Sequence, residues 1–332
     1  MGATYLMCYP GPRWQIRGGA NPRSQSKSPT NPRAAMREWL TLADAITRAG
    51  GHILVMAPPA DDAGAQLSGL VYAANHGAMF KNGDQWLFLV SKMAVPHRGG
   101  EREVVRRFFA EAGVPTLEAQ HEWEGQSEVQ SLKAARVILS WGVRSKRESL
   151  EEVRRVLPKQ SRTLEVQVKE PFTHGDAVLA PLYTRAGDMV VLAYGLGMVN
   201  RSIPELRTFI GTSGDVVSID EDDAMAAATS ALSVNGTVLL PAGTSTGLRG
   251  TLVRRGFTAV EEIEMPELLG KGGGGPRSLV NEMPGFVISD EAPSYSHLRD
   301  KLYALAEGYP ESAGGGAPPA PAAPTTTPSS ST

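Results

Sequence analysis

Short apolar runs alternate with amphipathic stretches along most of the chain. Runs of six or seven residues rich in Val, Ile, Leu and aromatic residues predict β-strands at residues 52–58, 85–91, 135–141, 164–170, 188–194, 215–220 and 236–242. Apolar residues with helical spacing predict α-helices at residues 32–50, 100–113, 145–157, 203–211, 221–236, 245–256 and 292–308. The pattern is therefore that of an α/β protein.

The order of these elements bears on the architecture. Simple alternation of strands and helices favours a doubly wound parallel sheet. Against this, two or three strand-like runs fall between successive helices at residues 52–91 and 164–194, which favours small repeated units that mix antiparallel and parallel strands. The sequence contains no P-loop, and Gly-Leu-Gly at 195–197 is too isolated to indicate a dinucleotide site.

Composition places a boundary near the C-terminal end. The 332 residues are 41% hydrophobic, which is enough for a large core. Residues 313–332 contain no charge and no large apolar side chain, so they cannot bury a core. We expect a single folded domain over residues 1–310 and a disordered Pro/Ala/Thr/Ser-rich tail over residues 311–332.

Charge and cysteine content narrow the class of protein. The net charge of -2 does not indicate a nucleic acid or an acidic membrane as a partner. The N-terminus lacks the features of a signal peptide, so a cytoplasmic protein is expected. The single cysteine, Cys8, excludes a disulfide within the chain and is predicted to be buried and structural. The histidines are not spaced like zinc ligands, and we expect neither a metal nor another cofactor.

Several glycine-containing islands carry His, Asn, Arg or carboxylate side chains at the edges of the predicted strands. They lie at residues 7–23, 70–80, 97–101, 121–128, 141–145, 172–182, 239–243 and 271–279. Loops at strand ends are where a rigid fold commonly presents catalytic side chains.

In this order the islands resemble the pentein superfamily of guanidino-group-modifying proteins, over roughly residues 5 to 285. The motifs that carry the resemblance are Trp-Glu-Gly (123–125), Thr-His-Gly-Asp (173–176) followed by Ala-Pro-Leu, Leu-Pro-Ala-Gly (240–243) and the glycine run that ends at Arg277. Dimethylarginine dimethylaminohydrolase and arginine deiminase/dihydrolase-like enzymes are the most similar members. The resemblance implies an α/β propeller of five ββαβ units around a central pore, although no internal repeat is visible in the sequence.

The resemblance also implies a reaction. A guanidinium is planar, cationic and a poor electrophile, so a site must hold it with carboxylate acceptors. In the family a thiolate attacks the central carbon, and a histidine protonates the leaving amine and later activates water. The expected ligand is a small guanidino compound such as arginine or methylarginine, with dimethylargininase- or amidinotransferase-like chemistry. Homo-oligomer formation stays open.

The family roles transfer to particular residues. By resemblance, His174 is the general acid and base, Glu124 a carboxylate beside the guanidinium and Asp176 a second carboxylate. Ser278 stands where the family keeps its nucleophilic cysteine. Three further matches are expected to shape or support substrate binding: Asn75, Arg144 and Asn21.

Simpler interpretations compete with these roles. Glu124 could be a solvated loop acid, and His174 with Asp176 could form a turn. Asn75 and Asn21 could be turn residues, which asparagine favours. A surface position is preferred for Arg144, because a charged helical pattern follows it. The glycine run at 272–275 could be a linker, but its ordered flanks favour a tight loop.

Three departures from the family pattern raise a question about activity. Besides the serine at 278, Ser68-Gly69 replaces a common Pro-Asp, so one carboxylate is missing, and Trp-Glu-Gly-Gln-Ser-Glu (123–128) stands where Phe-Glu-Gly-x-Gly-Asp is usual. A serine hydroxyl needs an adjacent base to act as a nucleophile, whereas a thiol ionises readily. The leading hypothesis is an enzyme on guanidino C–N bonds that uses Ser278 or water. A ligand-binding protein without catalysis and an assembly scaffold are the alternatives.

Overall fold

A computed structural model describes residues 2–18, 21–25, 28–60, 66–82, 85–199, 203–286, 288 and 291–312. Within these ranges the strands form five separate sheets of three strands each. The tail predicted to begin at residue 311 lies, from residue 313 onward, outside the described residues.

Each sheet is built to one plan, in which the central strand pairs antiparallel on one side and parallel on the other. Each sheet and its helix form one unit. The first unit contains β1 (Thr4–Cys8), α1 (Pro32–Arg48) and β2 (His52–Met56). The second unit contains β3 (Gly77–Asn82), β4 (Gln85–Val90), α2 (Glu101–Glu111) and β5 (Thr116–Glu118). The third unit contains β6 (Val129–Leu132), β7 (Arg136–Trp141), α3 (Ser149–Val156) and β8 (Arg162–Gln167).

The last two units repeat the plan. The fourth unit contains β9 (Leu179–Tyr183), β10 (Met189–Ala193), α4 (Ile203–Ile210) and β11 (Asp215–Ser218). After α5 (Glu221–Met225), the fifth unit contains β12 (Leu232–Val234), β13 (Thr237–Pro241), α6 (Thr246–Arg254) and β14 (Ala259–Ile263). In these two units a short connection joins the antiparallel strands, and a helix crosses between the parallel strands, as parallel pairing requires.

The two ends of the chain complete the ring. β15 (Asn281–Glu282) pairs antiparallel with β1, and β1 pairs parallel with β2. The first sheet therefore takes its antiparallel strand from the C-terminal part of the chain, after which α7 (Tyr295–Glu307) packs against α1. The predicted α/β propeller of five ββαβ units is confirmed, and the doubly wound sheet is wrong.

All seven predicted strands are present, but the sequence pattern showed only about half of the strands of the ring. The helix predicted at 221–236 is wrong beyond Met225, because Ala227 adopts a left-handed φ of 63° and β12 follows. Two alanines of this segment, Ala228 and Ala231, are 0% exposed. Tertiary packing therefore outweighs helical propensity there.

The main apolar core lies beneath α1, between the first and last units. Asn31 caps this helix by accepting from the backbone N–H of Ala34, and Pro32 occupies the first turn. Trp39 is fully buried and makes edge-to-face contacts with Tyr9 and Tyr295. These aromatic contacts tie α7 to the N-terminal part of the chain.

Cys8 lies in β1 and is 0% exposed, so the prediction of a buried cysteine is confirmed. Burial raises the pKa of its thiol, which disfavours the thiolate form. None of the helices in the described ranges combines the length and the apolar content that a membrane crossing needs.

Replacing Phe109 with alanine is expected to destabilise the second unit strongly. Phe109 is 0% exposed and stacks on Phe88 with ring centroids 3.9 Å apart, so the change leaves a cavity between α2 and β4. The expected loss is about 3–5 kcal/mol in the free energy of unfolding, measured by urea titration. Phe108→Ala at the adjacent, half-buried position should cost less than about 2 kcal/mol. Equal losses would contradict this account of the core.

Candidate functional site

The candidate site lies where equivalent segments of the repeated units meet. In four units a short 3-10 turn directly precedes the first strand: Ala73–His76, Gly125–Glu128, Gly175–Ala177 and Ala228–Ser230. In the remaining unit the segment that contains Ser278 precedes β15. The pseudo-fivefold arrangement therefore brings residues from distant parts of the chain to one centre.

A cavity of about 170 Å³ opens at this centre. It is lined by most of the residues selected from the sequence: Asn21, Asn75, Arg144, His174, Asp176 and Ser278. Glu124 is different, because its side chain is 0% exposed and lies behind His174. The structure thus brings all seven candidates together, six on the cavity wall and one behind it.

Glu124 and His174 form the closest ion pair of the site. Glu124 Oε2 lies 2.7 Å from His174 Nε2, and His174 Nδ1 lies 3.1 Å from Thr173 Oγ1. The other oxygen, Glu124 Oε1, accepts from the backbone N–H of Ala94 at 3.2 Å. Because its oxygens face these partners, Glu124 orients the histidine and does not face the cavity.

Two arginines surround the same carboxylate. Arg144 Nη1 donates to Glu124 Oε1 at 3.2 Å, and Arg98 Nη1 lies 3.5 Å from Glu124 Oε2. The side chain of Arg144 is only 11% exposed, so the predicted surface position is wrong. The reason is that α3 begins only at Ser149, which leaves Arg144 in the preceding loop and turned inward.

These contacts set the charge of the pair. Burial alone would raise the pKa of Glu124, but His174, Arg98 and Arg144 outweigh it and hold the pKa well below its usual range. Burial alone would lower the pKa of His174, but Glu124, with Glu128 and Asp176, raises it. Each member of the pair therefore stabilises the charged form of the other.

Arg98 and Glu101 are site residues that the sequence reasoning did not assign. Glu101 accepts from Arg98 Nε at 2.9 Å and from Nη2 at 2.8 Å in a buried bidentate pair. Arg98 Nη1 also donates to Asn75 Oδ1 at 3.0 Å. The available signal was the island at 97–101, where an arginine and a glutamate stand three residues apart.

This pair explains why no carboxylate occurs at position 69. A side chain on Gly69 would place its Cβ 2.2 Å from Glu101 Oε1 and 2.3 Å from Arg98 Nε. The guanidinium of Arg98 occupies that space instead and donates to the Gly69 carbonyl at 3.2 Å. Position 69 therefore packs against an internal arginine and has no room for a side chain.

Ser278 lies beside Asp176. Its Oγ donates to Asp176 Oδ2 at 3.3 Å, while the ring nitrogens of His174 bond to Glu124 and Thr173. Asp176 is 4% exposed. Among the described residues that line the cavity, it is the one with a carboxylate side chain. The Ser278 hydroxyl is therefore oriented by a carboxylate and not by the histidine.

The glycine run is a tight loop, as predicted. Gly273 has a φ of 89°, and a Cβ there would lie 2.1 Å from Asn21 Nδ2. A Cβ on Gly274 would lie 2.4 Å from the Tyr72 ring. Only glycine permits this backbone and this approach, which places Ser278 at the cavity.

Asn21 and Asn75 combine local and site contacts. Asn21 Oδ1 accepts from the backbone N–H of Arg23, as in an Asx turn, and Nδ2 donates to the Gly273 carbonyl at 3.4 Å. Asn75 Nδ2 donates to Ser127 Oγ at 2.8 Å while its oxygen accepts from Arg98. Both therefore brace the cavity wall.

A search of the described residues finds no group of three or more His, Cys, Asp or Glu side chains placed to hold a metal ion. The described residues of the site instead supply imidazole, carboxylate, guanidinium and hydroxyl groups. Such a set can bind a charged polar ligand and transfer protons.

Comparisons with known proteins agree with this fold. No family model matches the sequence. The chain is 25% identical to the uncharacterized protein ZK1307.1 of Caenorhabditis elegans over 244 residues, which cover 72% of this chain and 80% of that protein.

Solved structures supply the class of fold. The N-terminal domain of ArgZ, an arginine dihydrolase from cyanobacteria, was crystallised with substrate as a variant in which serine replaces a cysteine. It matches with a TM-score of 0.72 and 22% identity, over 84% of this chain and 97% of that domain. A dimethylarginine dimethylaminohydrolase adduct matches with a TM-score of 0.62 and 16% identity, over 85% of this chain and 100% of that one. Both neighbours belong to the pentein superfamily, and this chain has the pentein fold.

Replacing His174 with glutamine is expected to destabilise the protein in a pH-dependent way. A histidine whose folded-state pKa is raised above 6.5 contributes stability that is fully present below 6.5 and is lost as pH rises through the folded-state pKa. The difference in unfolding free energy between native protein and variant should therefore be larger at about pH 6 than at about pH 9. Urea titration at both values measures it, with His52→Gln at the exposed start of β2 as control. A difference that grows with pH would contradict the assignment.

Proposed function

We propose that the cavity binds a guanidino compound such as arginine or a methylarginine, and that the protein is a hydrolase-type enzyme on its C–N bonds. The observation that carries the proposal is the 2.7 Å Glu124–His174 pair beside a cavity that contains Asp176 and Ser278. This places a proton donor, a carboxylate acceptor and a hydroxyl at one centre.

The charges around the cavity support an amino-acid ligand. Asp176 offers a carboxylate to the cationic guanidinium, and charge-assisted hydrogen bonds of this kind are strong. Arg144 also lines the cavity and offers a cation to a ligand carboxylate. A zwitterion with a guanidinium at one end matches both signs.

The known proteins of the same fold support the substrate class. ArgZ is an arginine dihydrolase, and its variant with serine in place of cysteine holds substrate in the crystal. The other neighbour takes its name from dimethylarginine. We infer that the serine of this chain is compatible with ligand binding.

The proposed reaction requires few groups. Ser278 Oγ or a water adds to the guanidinium carbon and gives its proton to a carboxylate such as Asp176. The imidazolium of His174 then protonates the departing amine, and the C–N bond breaks. If the serine attacks first, one water then hydrolyses the covalent intermediate and frees the Ser278 hydroxyl; if water attacks first, no covalent intermediate forms. The net change is a guanidinium plus one water to a neutral ureido group plus a protonated amine, so the positive charge leaves with the amine.

Binding without turnover is the second candidate function, and one observation favours it. The Ser278 hydroxyl bonds to Asp176, whose carboxylate is a weak base, and His174 Nε2 is occupied by Glu124. A hydroxyl is far less acidic than a thiol, so attack should be slow. We therefore propose that Ser278 limits chemistry more than it limits binding.

We also propose that residues 1–310 act as one domain. The first sheet needs both β1 and β15, which come from opposite ends of that range. Removal of either end would open the ring that carries the site.

Replacing Ser278 with cysteine is expected to raise turnover of arginine or methylarginine by about tenfold or more, because a thiol supplies some thiolate at neutral pH. Mass spectrometry of citrulline, ornithine and released amines measures the products. Ser278→Ala is the matched control and should bind ligand without gaining turnover. If native protein turns over the substrate fast and Ser278→Ala abolishes this turnover, the serine is catalytic. The proposal that Ser278 limits chemistry is then overturned.

Replacing Asp176 with asparagine is expected to weaken binding of arginine by about tenfold or more, since a hydrogen bond to a charged group contributes roughly 1.5–3 kcal/mol. Calorimetry on native protein and variant measures the affinity. Glu122→Gln, in the same loop as Glu124 but outside the cavity, is the control. If native protein binds no guanidino compound, the fold serves assembly and the proposed function fails.

A further inference from the structure

Glu128 is a buried carboxylate that has no role in the proposed reaction. It lies at the end of the 3-10 turn that follows Glu124, and its side chain is 1% exposed. Its two oxygens have separate partners: Oε2 accepts from the backbone N–H of Gly175 at 3.0 Å, and Oε1 accepts from Ser145 Oγ at 2.9 Å.

These two bonds reach both halves of the site. Gly175 lies between His174 and Asp176, so the first bond holds the segment that carries the imidazole and the cavity carboxylate. Ser145 Oγ also accepts from the backbone N–H of Glu124 at 3.1 Å, so the second bond leads to the partner of the imidazole. One buried side chain therefore joins the backbones on which the Glu124–His174 pair depends.

The segment around Gly175 has little freedom to move away from this contact. A Cβ on Gly175 would lie 2.1 Å from Ser140 Oγ and 3.1 Å from the Ser127 carbonyl oxygen. The backbone thus packs closely against the third unit. Loss of the Glu128 bond would leave the Gly175 N–H buried without this acceptor, which proteins normally avoid.

The charges that face Glu128 come mainly from one element. His174 and Asp176 face it from the segment 173–177, with opposite effects, and Glu124 lies on its own turn. Ser145, from the loop after β7, contributes a neutral hydroxyl. Burial raises the pKa of Glu128 to about 7, and the charge of His174 opposes this shift.

We propose that Glu128 is a positioning residue, whose carboxylate fixes the His174–Asp176 segment against Glu124 and stabilises the imidazolium form of His174. The proposal rests on the proposed function only in giving the protonated histidine a task. If the Glu128 carboxylate had only a structural role, it would accept from the Gly175 N–H, but its loss would leave the titration of His174 unchanged. The His174 titration therefore decides between a structural and a positioning role.

The test follows the imidazole of His174 by NMR in the full chain, without any ligand, with His174→Gln to assign the signal. Glu128→Gln keeps the size and one acceptor oxygen but removes the charge. The midpoint of the His174 titration should fall by about one unit, the size expected when a nearby opposite charge is lost. Glu128→Asp keeps the charge at a greater distance and should give an intermediate midpoint.

Glu38 offers a matched control. It is also a buried carboxylate, 7% exposed, and it accepts from the backbone N–H groups of Glu267 and Leu268, both at 2.8 Å. Burial raises its pKa to about 7 as well. Glu38→Gln should therefore cost stability through similar lost contacts but leave the His174 midpoint unchanged.

An unchanged His174 midpoint in folded Glu128→Gln overturns the proposal. If that variant does not fold, Glu128→Asp decides, and a midpoint equal to that of native protein overturns it. Because the titration uses no ligand, its outcome is separate from that of the binding and turnover assays. Native protein that binds no guanidino compound would refute the proposed function, while a lowered midpoint would still support the role of Glu128.

Discussion

The rest of the site depends on the ion pairs that surround the buried carboxylate of Glu124. A fully buried charge is costly unless it is paired and hydrogen-bonded. Here His174, Arg144 and Arg98 approach it, and the Ala94 N–H completes its contacts. These partners come from three successive units, so the carboxylate keeps its partners only when these units pack together. Removal of any one partner leaves an imbalance that the low-dielectric centre would strengthen.

The repeated fold supplies the geometry for this cluster. In each unit the segment just before the first strand lies toward the centre of the ring. Five units therefore bring five such segments together. A side chain from this position therefore reaches the centre whatever its place in the chain. In the first unit this segment comes from the C-terminal part of the chain and leads into β15. Ser278 lies in it and is therefore a neighbour of Asp176.

Two positions at the cavity are constrained in physically different ways. At Gly69 the Arg98–Glu101 pair fills the space that a side chain would need. At Ser278 the constraint lies in the backbone, because the glycine run approaches Asn21 and Tyr72 closely. The hydroxyl that this loop presents donates to Asp176. Side-chain packing therefore fixes the first position, and loop geometry fixes the second.

The sequence by itself determined the α/β class, seven strands, most of the helices, the buried Cys8 and the identity of the site candidates. Apolar periodicity and glycine chemistry are local, so a local pattern reveals them. The strands β12 and β15 have only 3 and 2 residues, which is too short for an alternating pattern, and β15 is held by β1 from the opposite end of the chain. Arg144 followed the same rule: its charged surroundings in sequence indicated solvent, whereas its real neighbour is Glu124. The tertiary structure alone decided which charges meet, because pairing energies at a buried centre depend on distances that sequence order does not contain.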